Sequence, residues 1–197
     1  ASGDQCAVMG WHDGRGGRHV LTSVSNLESP PGSPSRIDDH PAVSMTRPES
    51  LPLGGHVPGP MVAADVDGDG DLDVWVGGRG RVGRYPESTP SQWWLNNEGR
   101  LVPDARRSAA FASVGMATGA CAVDLDRDGD PDLVVATDWG PIRIFINDGK
   151  GFSDATAAWG LSDKTGLWTG IATGDFDGDG LPDLVCGNWG RNTSYEL

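Results

Sequence analysis

One nine-residue pattern constrains this chain more than any other feature. The pattern D-x-D-x-D-G-x-x-D occurs three times without a gap, at Asp65–Asp73, Asp124–Asp132 and Asp175–Asp183. Each copy follows small or apolar residues and precedes a short apolar run: Met61 to Ala64 and Val74 to Val76 around the first, Ala120 to Val123 and Leu133 to Ala136 around the second. At least four carboxylates within nine residues repel one another unless a cation shares the loop. The fold therefore has to present a small ring of oxygens at regular intervals.

A fourth alignment is informative because it fails. Around the turn at residues 11 to 19, Asp13, Gly14 and Gly16 match Asp67, Gly68 and Gly70. Trp11 stands in place of Asp65, Arg15 of Asp69 and His19 of Asp73. This copy keeps the turn and loses the carboxylates, with Arg15 bringing positive charge among the would-be ligands, and it is predicted to bind no metal. The four copies begin at residues 11, 65, 124 and 175. A period of that length holding about four strands is the signature of a β-propeller blade. The predicted fold is all-β, a propeller of about three and a half four-stranded blades. Its units are 1–59 (a degenerate blade with an insertion rich in Pro, Ser and Gly), 60–115, 116–165 and the start of a further blade at 166–197. A closed propeller takes about 4 to 8 blades, so the expectation is a piece of a longer ring, completed by the same parent chain or by another.

Between the loops, strands are expected on both sides of the 12–18 turn, at Gln92–Leu95, at Arg100–Val102, at 141–146 and from Phe152. Turns are expected at Asn96–Gly99 and, by the positive φ that Asp-Gly tolerates, at Asn147–Gly151. Residues 28–60 read as a long surface loop around one strand at Ala42–Thr46, residues after Val76 as a Gly/Arg turn, and 105–112 as a helical turn.

The loop's chemistry is that of calcium. Ca²⁺ takes 6 to 8 hard oxygen ligands at about 2.3–2.6 Å. Carboxylates at positions 1, 3 and 5 of a tight loop point inward, and glycine at position 6 (Gly70, Gly129, Gly180) allows the sharp turn. Position 7 adds a backbone carbonyl, and the aspartate at position 9 closes the sphere. Magnesium fits less well, because it demands near-octahedral geometry and keeps its water. An EF-hand is rejected: it needs Glu at position 12 and flanking helices, whereas position 12 is Val76, Val135 and Cys186 and the flanks are β-like.

Composition closes other routes. Of the 28 acidic residues behind the formal net charge of −13, half lie within the three nonapeptides, so the acidity is patterned. No clustered basic surface serves nucleic acid, and Arg79, Arg81 and Arg84 read as a solvated group. No run of 18 apolar residues provides a membrane span. The chain begins Ala1-Ser2-Gly3-Asp4 with no visible signal peptide.

The runs 174–180 and 183–185, together with Asn147–Phe152, resemble FG-GAP/VCBS repeats. The stretches 76–86 and 187–193 are most like the UnbV and cartilage-acidic-protein-like branch of that family. The resemblance covers about residues 60–194. It implies a seven-bladed integrin-α-type propeller, calcium between the first two strands of a blade, and a secreted, periplasmic or cell-surface location. Carried over by position, three Ca²⁺ sites are expected: Asp65, Asp67, Asp69 and Asp73 with the Asp71 carbonyl; Asp124, Asp126, Asp128 and Asp132 with the Asp130 carbonyl; and Asp175, Asp177, Asp179 and Asp183 with the Leu181 carbonyl.

Other signals are weaker. Gly78–Gly83 matches G-x-G-x-x-G, but Tyr85-Pro86 leaves no room for the helix a dinucleotide site needs. The four histidines read as solvated loop residues and Cys121 and Cys186 as small buried thiols. No G-x-S-x-G or H-E-x-x-H motif is present. Trp139 and Trp189, each before a glycine, are candidates either for wedging between blades or for exposed platforms. The functional expectation is a non-enzymatic calcium-binding interaction module for a protein or glycan. The alternatives are a propeller domain of a polysaccharide-degrading enzyme and a lectin-like sugar binder.

Overall fold

A computed structural model of the chain describes residues 4–26, 33–42 and 49–190. Its strands fall into successive antiparallel sheets, each built up and down in chain order. The first sheet is β1 (Asp4–His12), β2 (Arg18–Ser25), β3 (Ser35–Pro41) and β4 (Glu49–Gly54). The second is β5 (His56–Ala64), β6 (Asp73–Arg81), β7 (Gln92–Asn97) and β8 (Arg100–Asp104). The third, β9 (Met116–Val123), β10 (Asp132–Pro141), β11 (Arg143–Asn147) and β12 (Phe152–Asp154), is followed by the hairpin of β13 (Thr165–Gly174) and β14 (Asp183–Asn188). The far end of β10 also pairs with β13, at Asp138 with Leu167 and Pro141 with Thr165. The architecture is all-β and propeller-like.

The core lies between sheets rather than inside one. Strand side chains alternate faces with a period of two, and in the second and third sheets both faces are buried, so neighbouring residues serve different interfaces. Trp75 and Trp93 join Phe111, Leu133, Val135 and Phe145 between the second and third sheets. Val74, Val76 and Trp94 turn the other way onto Trp11, Leu21, Ile37 and Leu53 of the first sheet. Val134 and Ala136 pack with Trp168, Ile171 and Leu184 of the last hairpin. Each sheet is thus stabilised by its neighbours, as expected of a repeat that cannot bury its faces alone. The innermost strands come so close that Gly119 has only backbone to face: a Cβ there would lie 3.0 Å from Gly170 Cα.

Several expectations shift. The strand predicted at Ala42–Thr46 is absent where it can be followed: Ala42 is a turn residue, and 43–48 lie outside the described residues. Strands flank that segment instead, at β3 and β4, and β5 begins at His56. β6 runs through the expected Gly/Arg turn to Arg81. The third strand of the third sheet starts at Arg143, because Pro141 still belongs to β10. A short helix, α1 (Ala105–Ser108), and a following 3₁₀ turn do fall within 105–112, with Asp104 capping α1 by accepting from the Arg106 and Arg107 N–H groups. The expected arginine group is paired rather than merely solvated: Arg79 meets Asp138 (3.2 Å), and Arg81 and Arg84 both meet Glu87 (3.1 and 3.3 Å).

Candidate metal centres

All three nonapeptides connect the first and second strands of a sheet: β5 to β6, β9 to β10 and β13 to β14. Their backbones are alike because the same two positions turn left-handed. φ at positions 4 and 6 is 74° and 91° at Gly68 and Gly70, 66° and 96° at Arg127 and Gly129, and 81° and 80° at Gly178 and Gly180. The aspartates then wrap that turn. Asp65 Oδ1 and Oδ2 accept from the Gly68 and Gly70 N–H groups (2.8 and 2.9 Å). Asp124 serves Arg127 and Gly129 in the same way, and Asp175 serves Gly178 and Gly180.

Positions 1, 3 and 9 converge in every copy. Each of the trios Asp65/Asp67/Asp73, Asp124/Asp126/Asp132 and Asp175/Asp177/Asp183 has one carboxylate oxygen per residue within 4.8 Å of the others. Oxygens on opposite sides of a calcium ion stand about 5 Å apart at ordinary Ca–O distances. The three groups are therefore of a size and a hard-oxygen chemistry that can hold such a metal ion. Position 5 lies outside these trios. Asp69, Asp128 and Asp179 each turn one oxygen back to accept the N–H of position 7 (2.9, 2.9 and 2.7 Å). The side chains at position 7 are elsewhere: Asp71 stands over Gly14 of the neighbouring turn, Asp130 is near Gly149, and Leu181 is exposed.

Position 9 has a second duty that its spacing did not reveal. Asp73 Oδ2 accepts from the Val66 N–H (3.0 Å), and its Oδ1 accepts from the Asn96 N–H of β7 (2.8 Å). Asp132 does the same with Leu125 and with Asn147 of β11, both at 2.8 Å. Asp183 latches Phe176 (2.9 Å). Both Asp73 and Asp132 are buried, and burial pushes the Asp73 carboxyl up to about 6 in the metal-free chain, against the pull of the two N–H donors. Asp132 and Asp67 are raised by burial too, Asp67 with a further push from Asp69 and a counter-pull from Arg107. A cation among these groups would favour their ionised forms.

The loops also reach between sheets. Arg127, the one non-glycine at position 4, donates from its guanidinium to the Gly180 carbonyl of the next loop. Asn147 Nδ2 donates to the Val66 carbonyl of the previous loop (3.2 Å). Buried Arg107 bridges Asp104 (2.9 Å) and the Gly149 carbonyl (3.4 Å). Sequence reasoning passed over Arg107, Arg127, Asn96 and Asn147. The recurrence of asparagine just before Gly99 and Gly149 was the available signal for the last two.

Trp11 and His19 replace ligands with packing and pairing. Gly14 and Gly16 keep the same left-handed φ, 75° and 93°. Trp11 is buried and its ring lies 5.1 Å from that of His19. His19 is no solvated loop residue: it meets Asp39 of β3 at 2.8 Å and Asp13 at 3.5 Å. Arg15 does not enter the turn's carboxylate group but reaches Glu98 of the second sheet (3.2 Å). Cys121 and Cys186 are half-buried, not fully buried, thiols, raised by burial, Cys121 to about 11. Trp139 and Trp189 are both about half exposed, and Trp139 donates to Tyr85 of the second unit.

The repeated turn, its aspartate trios and the sheet-by-sheet core define a propeller-like repeat protein with metal-competent loops. The FG-GAP-like repeat family matches residues 65–135 and 124–186, more than half of the chain, and the chain belongs to that family. Human cartilage acidic protein 1 is 36% identical over 88 residues, which cover 43% of this chain and 13% of that protein. This chain therefore spans a small part of that relative's length.

Proposed function

We propose that this chain is a calcium-binding segment of an extracellular β-propeller, non-enzymatic, that serves as an interaction module. The carrying observation is the triple recurrence of one oxygen cluster on one backbone turn, at the same connection of each sheet. Asp65, Asp67, Asp73 and their counterparts at 124, 126, 132 and at 175, 177, 183 would supply the first ligands. Asp69, Asp128 and Asp179, with the position-7 carbonyls of Asp71, Asp130 and Leu181, would complete the shell when calcium draws them in. Calcium would supply the charge that neutralises each loop. The outer carboxylates are solvent-exposed, which suits the weak sites of extracellular modules, with dissociation constants of about 10⁻⁴–10⁻³ M.

The units 1–59, 60–115, 116–165 and 166–197 are proposed as blades of one ring, seven-bladed as the family resemblance implies. Position 2 of the loop supports this. Val66 and Leu125 are buried against the next sheet, whereas Phe176 is 61% exposed with Val185 exposed nearby. Further blades, from the parent chain or another, would cover that face. The test is metal analysis of the purified protein with thermal melting in calcium and in EGTA. Three ions per chain and a lower Tm in EGTA are expected. A chain that carries no calcium, or that melts identically with and without chelator, removes the reading.

A further inference from the structure

One buried side chain lies between the loop at 65–73 and the loop at 124–132, here the first and second loops. Asn147 closes β11 and is fully buried. Its amide Nδ2 donates to the Val66 carbonyl of the first loop (3.2 Å) and, at 3.4 Å, to the Pro131 carbonyl of the second. Val66 stands between Asp65 and Asp67, and Pro131 stands directly before Asp132. The backbone N–H of Asn147 donates to Asp132 Oδ1 (2.8 Å), and its side-chain Oδ1 accepts from the Gly149 N–H (3.2 Å). Both polar atoms of this side chain are therefore engaged, on two loops and on the turn after β11.

The residue it grips carries the contact onward. The Val66 N–H donates to Asp73 Oδ2 (3.0 Å). Hydrogen bonds thus lead from Asp73 through Val66 and Asn147 to Asp132, and all four residues are buried. Asp73 and Asp132 are the position-9 members of two neighbouring oxygen trios. In a low dielectric such bonds are stronger, and one left unmade is costly, so a displacement of one member is felt by the others. The turn after β11 is held from both sides as well: Arg107 donates to the Gly149 carbonyl (3.4 Å), and Asp130 of the second loop lies beside Gly149.

The neighbouring connections are built differently. Asn96, the counterpart of Asn147 in the second sheet, latches Asp73 through its N–H and accepts from the Gly99 N–H. Its buried Nδ2, however, has no hydrogen-bond partner among the described residues. The second loop reaches the third, at 175–183, through the exposed side chain of Arg127, which donates to the Gly180 carbonyl. Exposed contacts made by long side chains contribute little.

We infer that Asn147 couples the first and second loops, so that calcium in either raises the affinity of the other, while the third loop fills nearly on its own. This rests on the reading of the loops as calcium sites. Fixing Asp73 in the first site fixes Val66, and with it the Asn147 amide. That amide then holds Pro131 and Asp132 of the second site in place before its ion arrives. The second ion meets a loop whose freedom is already reduced, which is a source of positive cooperativity without a change of shape. The effect is equal in both directions by linkage. Repulsion between the two ions opposes it, but Asp69 and Asp128 are exposed, so water and salt reach both loops and screen that repulsion.

The test is a calcium titration of the isotope-labelled chain at physiological ionic strength, followed by NMR at the Gly70, Gly129 and Gly180 N–H groups, one in each loop. It runs to about 10 mM calcium, ten times the weak end of extracellular sites. Asp126→Ala disables the second site and leaves the Asp132 latch in place. The first loop's dissociation constant should then rise at least about fivefold, the low end of ordinary coupling between sites, and the third loop's by less than about twofold. Asp67→Ala should raise the second loop's constant by the same factor, as reciprocity demands. Asn147→Ala keeps the N–H to Asp132 and removes the amide, and in that background Asp126→Ala should no longer change the first loop. A merely structural role for Asn147 would not erase that difference. The Asn147 side-chain NH₂ signal should also track the Gly70 titration in Asp126→Ala, a readout that needs no change at Asn147 should its variant not fold. A first loop unchanged by Asp126→Ala, an equal effect of Asp126→Ala in the Asn147→Ala background, or an Asn147 NH₂ signal that stays still overturns the coupling and leaves the calcium module standing. No calcium-dependent shift at any of the three glycines removes both readings.

Discussion

The turn at residues 11 to 19 and the loop at 65 to 73 share a backbone and little else. Both put left-handed glycines at positions 4 and 6, with φ values within a few degrees of each other. In the second sheet, the enclosed groups are carboxylates gathered round a space for a cation. In the first sheet, a buried indole takes position 1, and an imidazole at position 9 pairs with Asp13 and Asp39. The lesson is that the turn is the structural unit, and a carboxylate group able to hold a cation is one of two ways to fill it. The latch differs as well. Asp73 ties its loop to β7 through the Asn96 N–H, whereas His19 ties its turn to β3 through a side chain, Asp39.

Calcium removal should break the comparison most visibly. A site filled at 100 times its dissociation constant stabilises by about 2.7 kcal/mol, so three such sites withdraw roughly 8 kcal/mol. Hydrogen exchange in EGTA should then accelerate at the Gly70, Gly129 and Gly180 N–H groups and stay constant at Gly17, which donates to Asp13. Equal acceleration at Gly17 would mean that the first turn also depends on metal.

The next largest effect falls on the turn without ligands. Trp11→Ala should cost about 3–5 kcal/mol, the range for emptying a buried aromatic site, and the cost should be the same in calcium and in EGTA by chemical denaturation. A cost that shrinks in EGTA would tie Trp11 to the metal loops.

Two positions within one loop sharpen the contrast. Asp132→Ala strands two buried N–H donors, at about 1–3 kcal/mol each, and should destabilise even the metal-free chain. Asp128→Ala removes only an exposed turn contact and should change metal-free stability by no more than about 0.5 kcal/mol, while lowering calcium affinity at that loop. Denaturant melts in EGTA together with calcium titration distinguish them; equal losses at both positions would deny the latch.

The smallest effect is the pH response of Asp13. The Arg15 N–H holds its carboxyl below the usual value, helped by the Gly17 N–H and His19 and opposed by burial. A depressed carboxylate stabilises the fold above its unfolded pKa, and that stabilisation is lost as pH falls through the folded value. The advantage in Tm of the native chain over Asp13→Asn should therefore be present at pH 7 and shrink as pH falls below about 4, the unfolded value, and through the depressed folded one. An advantage that grows toward low pH would reverse the assignment.

Some of this was legible because it is local. The nonapeptide spacing, the glycines that bend it, and the Asn-Asp-Gly turn before Phe152 are all written within a few residues of where they act. The strands β3 and β4 were missed, and β5 was read only from Met61 onward, because the prolines of residues 28–60 read as loop. Pro52 lies on the sheet's outer strand, and Pro58 sits at register shifts of β5, places where a missing N–H is tolerated. β13 falls in the expected start of a further blade, but the role of its glycine appears only when Gly170 meets Gly119 across the interface.

By itself the sequence determined where the carboxylates recur and what turn carries them, since ligand spacing and positive φ are properties of nine consecutive residues. Tertiary structure decided which face each strand residue serves, sending Trp93 to one neighbour and Trp94 to the other. It also turned the position-9 aspartates into latches and set the Asn147 amide between two loops. Those relations join residues from different sheets, and only packing brings them within reach.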